Sequence, residues 1–299
     1  MPLRRILIAV LFLGACVSHK GDLNKGKQVN AALDNAEQLV IDAHIHTDFD
    51  DTVKTYSKVL DSRKGLIDEM RQNNVVGAVS LMSRSGGGWS DLSDQNIIHC
   101  VGIGKKIDAV EVEAGLKSGR YQCIKIYLGY VYRYAFDREY HPLYRLAEKY
   151  DIPVVFHTGD TYSMDGKLKF ADPLTIDEVA VDFRKVRFVI AHVGNPWIQS
   201  AAEVVYKNSN VYADVSALLI GNLEEYSPEQ IEEYIVKPIR WAFGYIENSE
   251  KLMYGTDWPL VHMGPYLAAV KRAIPKEHWN DVFYNNALRV FKFPNLKPL

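Results

Sequence analysis

Several things are scarce in this chain, and each scarcity removes a class of protein. Charge of one sign is missing: the 299 residues carry a formal net charge of -2, and no basic block follows the N-terminal segment, which argues against a nucleic-acid footprint. No apolar run is long enough to span a bilayer stably. No Gly-x-Gly-x-x-Gly opens a helix after the first strand candidate, so nothing supports a dinucleotide fold. Cysteine is nearly absent, with Cys16, Cys100 and Cys123 the full set. From Leu39 onward there is neither a second linker nor an internal repeat. What remains is 47% hydrophobic residues, an ordinary globular composition with length for one large domain or two small ones.

The N-terminus stands apart. Arg4 and Arg5 precede the apolar run Ile6 to Leu13, and Gly14-Ala15-Cys16 follows. A basic start, a short apolar stretch and small residues at its end form an export signal. Leu13-Gly14-Ala15-Cys16 resembles the lipobox of bacterial lipoproteins, which implies cleavage before Cys16 and acylation of its sulfur. Val17 after the cysteine resembles an outer-membrane address rather than an inner-membrane one. Residues 1–15 are then a signal peptide, and the polar stretch 16–38 is a flexible tether from membrane to domain. The implied location is the bacterial cell envelope, lipid-anchored and facing the periplasm. Export would permit a Cys100–Cys123 disulfide, but both lie in apolar, strand-like segments, and the expectation is two buried thiols.

The rest, residues 39–299, alternates short apolar runs with amphipathic stretches. Strand candidates are 39–44, 75–81, 97–103, 122–127, 153–157, 187–192, 211–214 and 252–255. Helix candidates between them include 60–72, 107–117, 142–150, 176–183, 228–236 and 279–291. Ser227 and Pro228 supply a cap and an N1 proline for the fifth of these. The alternation describes an α/β protein, a single (β/α)8 TIM barrel, although an open doubly wound sheet fits the alternation too.

Leu39-Val40-Ile41-Asp42-Ala43-His44-Ile45-His46 carries the strongest chemical signal. Residues i and i+2 of a strand face one side, so His44 and His46 can converge on one cation with Zn–N bonds of about 2 Å. Barrel enzymes place their chemistry at the C-terminal strand ends. Here those ends carry His157, His192, Asp214 and Asp257, with Lys125 on the fourth strand. Alone, each has an ordinary reading: a satisfied core histidine, or for Asp257 a turn residue beside Pro259. Their joint placement favours a site.

In chain order, Ile-Asp-Ala-His-Ile-His, Ile-Pro-Val-Val-Phe-His-Thr-Gly, Phe-Val-Ile-Ala-His-Val-Gly and Tyr-Gly-Thr-Asp-Trp-Pro resemble the amidohydrolase superfamily. Within it the branch is amidohydrolase 2, which includes aminocarboxymuconate-semialdehyde decarboxylase and related acid decarboxylases. The resemblance implies that His44, His46 and His157 bind one divalent metal, zinc first with manganese or iron as alternatives. Asp257 would be a further ligand or the base for metal-activated water, and His192 would polarise the substrate or shuttle protons. Asp42 shares the face of His44 and His46 and reads equally as a supporting or a structural group. The branch's Lys-Leu-His-Pro segment is here Lys125-Ile126-Tyr127-Leu128, which departs at the histidine and the proline. We favour a single metal, with Lys125 near the substrate or paired in the core. A carbamate bridging two metals is the other reading.

Three glycines in Ser83-Arg84-Ser85-Gly86-Gly87-Gly88-Trp89 make a mobile loop, whose Arg84 and Trp89 could hold an anionic or ring-bearing substrate. It lacks the Lys-Ser/Thr ending of a phosphate loop. Tyr127, Tyr130, Tyr132 and Arg133 could line the same mouth, with an ordinary surface loop as the equal alternative. His262 lies close enough in sequence to Asp257 to reach the pocket. The expected activity is metal-dependent hydrolysis of an amide, ester or lactone carbonyl of a small molecule. The alternatives are non-oxidative decarboxylation of a carboxylated ring, and an inactive envelope-anchored binding protein.

Overall fold

Eight parallel strands lie side by side in sequence order in the computed structural model, which describes residues 38–82 and 90–299. They are β1 Val40–Ile45, β2 Val75–Leu81, β3 Ile97–Ile103, β4 Cys123–Ile126, β5 Val154–Phe156, β6 Phe188–Ile190, β7 Val211–Asp214 and β8 Leu252–Met253. Every adjacent pair from β1 to β8 is parallel. The ring closes where Ala43 N donates to Tyr254 O (2.9 Å), Asp257 N to His44 O (2.7 Å) and His46 N to Trp258 O (2.8 Å). Helices alternate with the strands, including Arg63–Gln72, Ala109–Lys117, His141–Tyr150, Thr175–Asp182, Ile198–Lys207 and Met263–Ala273. The fold is the expected (β/α)8 barrel. The export signal, Cys16, most of the tether, and the loop carrying Arg84 and Trp89 lie outside the described residues. Among the described residues no helix is long and apolar enough to cross a membrane.

The strand pattern produces two apolar layers. Ile41, Ala43, Val79, Cys100, Val155, Val189 and Met253 fill the barrel interior, while Val40, Ile45, Ile124, Phe156, Phe188 and Ala213 pack outward against the helices. Alternating side chains from strands covered on both faces explain both layers. β1 departs from simple alternation. Asp42 sits opposite Ala78 but Ile45 opposite Ser80, so one extra residue bulges around His44 and re-aims the side chain there.

Cys100 and Cys123 form a disulfide, which corrects the expectation of two thiols. The cause is register: β3 and β4 pair with Cys100 directly opposite Cys123, Cα atoms 4.2 Å apart, and both residues belong to the interior layer. Helix boundaries also moved for local reasons. The first starts at Arg63 rather than Leu60, because Leu60–Asp61 pairs with Thr52–Val53 in a small ribbon and Ser62 Oγ caps the helix at Gly65 N, 3.0 Å away. The Ser227 cap and the N1 proline form as expected, and Gln230 completes a capping box that the sequence reading did not include. That helix does not stop at Val236. It passes through a π turn at Glu232–Val236 and continues over Lys237–Ile246, and the widened turn accommodates Pro238, which has no N–H to donate.

Candidate metal centre and active site

The strand ends bring the polar residues together at one mouth of the barrel. His44, His192 and Asp257 are all buried, and each offers a ligand atom within 4.8 Å of the others. His46 and His157 flank this trio. Asp257 Oδ1 lies 3.3 Å from His44 Nε2 and 3.0 Å from His46 Nε2. On the other side, His192 Nε2 is 3.3 Å from His157 Nδ1. The sequence expectation grouped His44, His46, His157 and Asp257 as ligands and reserved His192 for catalysis. The geometry places His192 in the tightest set, with His46 and His157 each touching one of its members.

Backbone conformation builds this mouth. His192 (φ 60°), Val193 (φ 40°), Ala217 (φ 48°) and Asp257 (φ 64°) all occupy the left-handed region. That region disfavours non-glycine residues, and a β-branched valine most of all. Strain concentrated in this way is a mark of functional loops. Two glycines permit close approach. A Cβ on Gly159 would lie 2.0 Å from Asn195 O, and one on Gly255 would lie 3.0 Å from the Cβ of His44.

Beneath the imidazoles is a network that sequence reasoning missed. Asp214 Oδ2 is 3.1 Å from His44 Nδ1, and its Oδ1 accepts from His192 N (3.0 Å) and Ser216 N (3.1 Å). Ser216 Oγ donates to Asp214 Oδ1 at 2.5 Å, and lies 3.0 Å from His44 Nδ1 and 2.9 Å from His192 Nδ1. A hydroxyl that has donated its proton to a carboxylate can only accept, so both Nδ1 atoms carry hydrogen. His157 Nε2 likewise donates to Asp160 O, 2.8 Å away. These partners fix the tautomers and leave His44 Nε2, His192 Nε2 and His157 Nδ1 as lone pairs. The visible signal was Asp214-x-Ser216, the same i, i+2 spacing as His44-x-His46. Asp42 holds the opposite side: it accepts from His44 N, Thr256 N and Thr256 Oγ1 at 3.0, 3.0 and 2.6 Å. Burial raises its carboxyl to about 7.

The electrostatics agree with a cation. Burial holds His44 and His157 below the usual histidine range and His192 at about 4, so the imidazoles are neutral near pH 7, as ligation requires. For Asp257 burial would raise the carboxyl, but His44 and His46 more than reverse it and keep it ionised. Its Oδ1 is buried with no N–H aligned on it, although His46 Nε2 and His44 Nε2 lie 3.0 and 3.3 Å away. An ionised oxygen without an aligned donor and two lone pairs facing each other at 3.3 Å are both unfavourable unless a cation lies among them. The residues therefore fit a divalent metal held by nitrogen and oxygen.

Lys125 is fully buried below this ring, with no hydrogen-bond partner for Nζ. Burial lowers it to about 8 against the pull of Asp214 and Asp257. Tyr127 lies beside it, its ring 5.3 Å from Nζ and 6.2 Å from the His157 ring, and its hydroxyl donates to Met82 O at 2.9 Å. Tyr127 is thus a support for the site. Tyr130 faces the pocket, 5.0 Å from the His157 ring. Arg133 pairs with Glu139 at 2.8 Å, Tyr132 donates to Asp165 O at 2.6 Å, and His262 turns to Glu69 at 2.9 Å. A pocket of about 440 Å³ opens onto His157, His192 and Asp257. Its walls are Tyr56, Tyr130 and Tyr162 on one part and Leu218, Leu219, Ile220 and Leu260 on another.

With fold and site in place, the comparisons identify the class. The amidohydrolase profile matches residues 99–293, and the chain belongs to the amidohydrolase family. No curated protein matches it. Among solved structures, an uncharacterized TIM-barrel protein from Bordetella bronchiseptica is 16% identical, with TM-score 0.64, covering 85% of this chain and 98% of its own. A probable 2-pyrone-4,6-dicarboxylic acid hydrolase from Acinetobacter baumannii, with citric acid bound, is 16% identical, with TM-score 0.59 and coverage of 85% and 99%. A 5-carboxyvanillate decarboxylase from Novosphingobium aromaticivorans, complexed with manganese and 4-hydroxy-3-methoxy-5-nitrobenzoic acid, is 15% identical, with TM-score 0.59 and coverage of 85% and 96%. At these identities the likeness is one of fold.

Proposed function

We propose that this protein is a divalent-metal-dependent hydrolase acting on an amide, ester or lactone carbonyl of a small molecule. The carrying observation is the buried, undonated Oδ1 of Asp257 beside the Nε2 atoms of His44 and His46, at the floor of a pocket of about 440 Å³. His44, His192 and Asp257 would hold the cation, with His46 and His157 around it and zinc preferred over manganese or iron. A bound divalent cation supplies Lewis acidity, polarising the carbonyl and making water a stronger acid. Asp257 accepts the proton from the attacking water. Asp214 and Ser216 keep His44 and His192 in the tautomer that points Nε2 inward. Lys125 adds positive charge below the developing oxyanion. Hydrolysis of a panel of esters, lactones and amides by zinc-loaded and chelator-treated protein tests this; equal turnover in both states contradicts it.

Decarboxylation of a carboxylated ring is the second reading, and likeness to the manganese-bound decarboxylase supports it. Release of carbon dioxide from hydroxybenzoic acids, with no ester or lactone turnover, would favour it. We also propose the lipid-anchored envelope location, with residues 1–15 as signal, 16–38 as tether and 39–299 as the catalytic barrel. The Cys100–Cys123 disulfide supports export, since such bonds persist in oxidising compartments. Loss of membrane fractionation in Cys16→Ser tests the anchor.

A further inference from the structure

Resting on the hydrolase reading, we propose that the site selects neutral acyl compounds bearing an apolar group and discriminates against substrates with a remote carboxylate. The wall beside the metal cluster is four consecutive apolar residues, Ala217, Leu218, Leu219 and Ile220, with Leu260 beside them. It is built before any ligand arrives. Leu218 N donates to Tyr266 Oη at 3.1 Å, Leu218 O accepts from Asn195 Nδ2 at 3.2 Å, and Gly221 N donates to Leu260 O at 2.9 Å. The two loops that form the wall are thus tied to each other and to the barrel. Where it faces His192, such a preformed surface rewards each substrate methylene it covers with about fourfold tighter binding.

Charge acts in the same direction. Asp160 lines the exposed part of the pocket and Asp257 its buried floor. A substrate carboxylate pointing toward the apolar wall would lose its hydration and one at the rim would meet the like charge of Asp160, while Tyr56, Tyr130 and Tyr162 offer it neutral groups and no positive charge. The described residues that line the pocket include no lysine or arginine, so among them compensation comes at the reacting end, from the cation.

The test uses the full chain loaded with zinc and two matched esters, p-nitrophenyl hexanoate and the p-nitrophenyl monoester of adipic acid, which differ at the far end. The expected result is a kcat/KM at least about tenfold higher for the hexanoate, rising from acetate through butyrate to hexanoate. Ile220→Ser should flatten that rise, and Asp160→Asn should raise the adipate ester relative to the hexanoate. Preference for the adipate ester, or no dependence on chain length, would overturn the inference. If no ester turns over, the lactone and amide panel decides the hydrolase reading separately, and calorimetry with hexanamide and adipic acid monoamide decides the selectivity. Tighter binding of hexanamide, weakened by Ile220→Ser, supports it, and equal or reversed affinities refute it.

Discussion

Two lysines are buried in this barrel, one toward each end, and they are treated in opposite ways. Lys251 precedes β8, and its Nζ reaches three carbonyl oxygens: Ser209 at 2.6 Å, Val211 at 3.1 Å and Asn208 at 3.2 Å. Lys125 lies on β4 toward the other mouth, and its Nζ has no hydrogen bond. Burial pushes both to about 8, so desolvation alone does not separate them; satisfaction does. The carboxylates divide similarly. Asp42 accepts three hydrogen bonds, while the Oδ1 of Asp257 has no N–H aligned on it. Lys125 Nζ and Asp257 Oδ1 are both held buried and incomplete at the same mouth of the barrel, the arrangement expected of groups whose partner arrives from outside.

That contrast can be broken by substitution. The largest effect is expected for Asp257→Asn, which removes the proton acceptor and should lower kcat by about 10²–10⁴-fold at saturating metal. Acid should separate the two ends next. His192 titrates at about 4 in the fold and near 6.5 when exposed, so the unfolded chain binds the extra proton in that window. From this group alone the metal-free protein should gain roughly 3 kcal/mol between pH 4 and 6.5, against the opposite trend of Asp42, whose carboxyl is raised to about 7. Urea melts of wild type and His192→Gln across that range should therefore differ by a gap that widens with pH. Ser216→Ala should weaken metal affinity by about 10–100-fold, because both Nδ1 atoms lose their common partner; a chelator competition reads this. The smallest effects compare the lysines. Lys251→Met should cost about 1 kcal/mol or more by stranding three carbonyls. Lys125→Met should leave the melting temperature unchanged or higher while activity falls. A stability loss in Lys125→Met as large as that in Lys251→Met would erase the distinction.

Much of this was legible in the sequence, and the rest was hidden for definable reasons. All eight strands fall where apolar runs predicted them, because a strand buried on both faces writes itself as a local hydrophobic segment. The histidines and Asp257 were legible for a related reason: a barrel displays chemistry at strand ends, and strand ends are local. Contacts set by register were not legible. Cys100 meets Cys123 because of how β3 and β4 align. Ser216 reaches His44 across 172 positions of sequence. The place of His192 in the tightest cluster with His44 and Asp257 has the same origin, since it depends on the left-handed turn at His192 and Val193.

Metal content of the purified full chain, beside that of His44→Ala, reads the site without passing through turnover. About one divalent metal per wild-type chain is expected, with most of it lost in the variant. No uptake of zinc, manganese or iron by the wild type, or full retention in His44→Ala, would contradict this expectation.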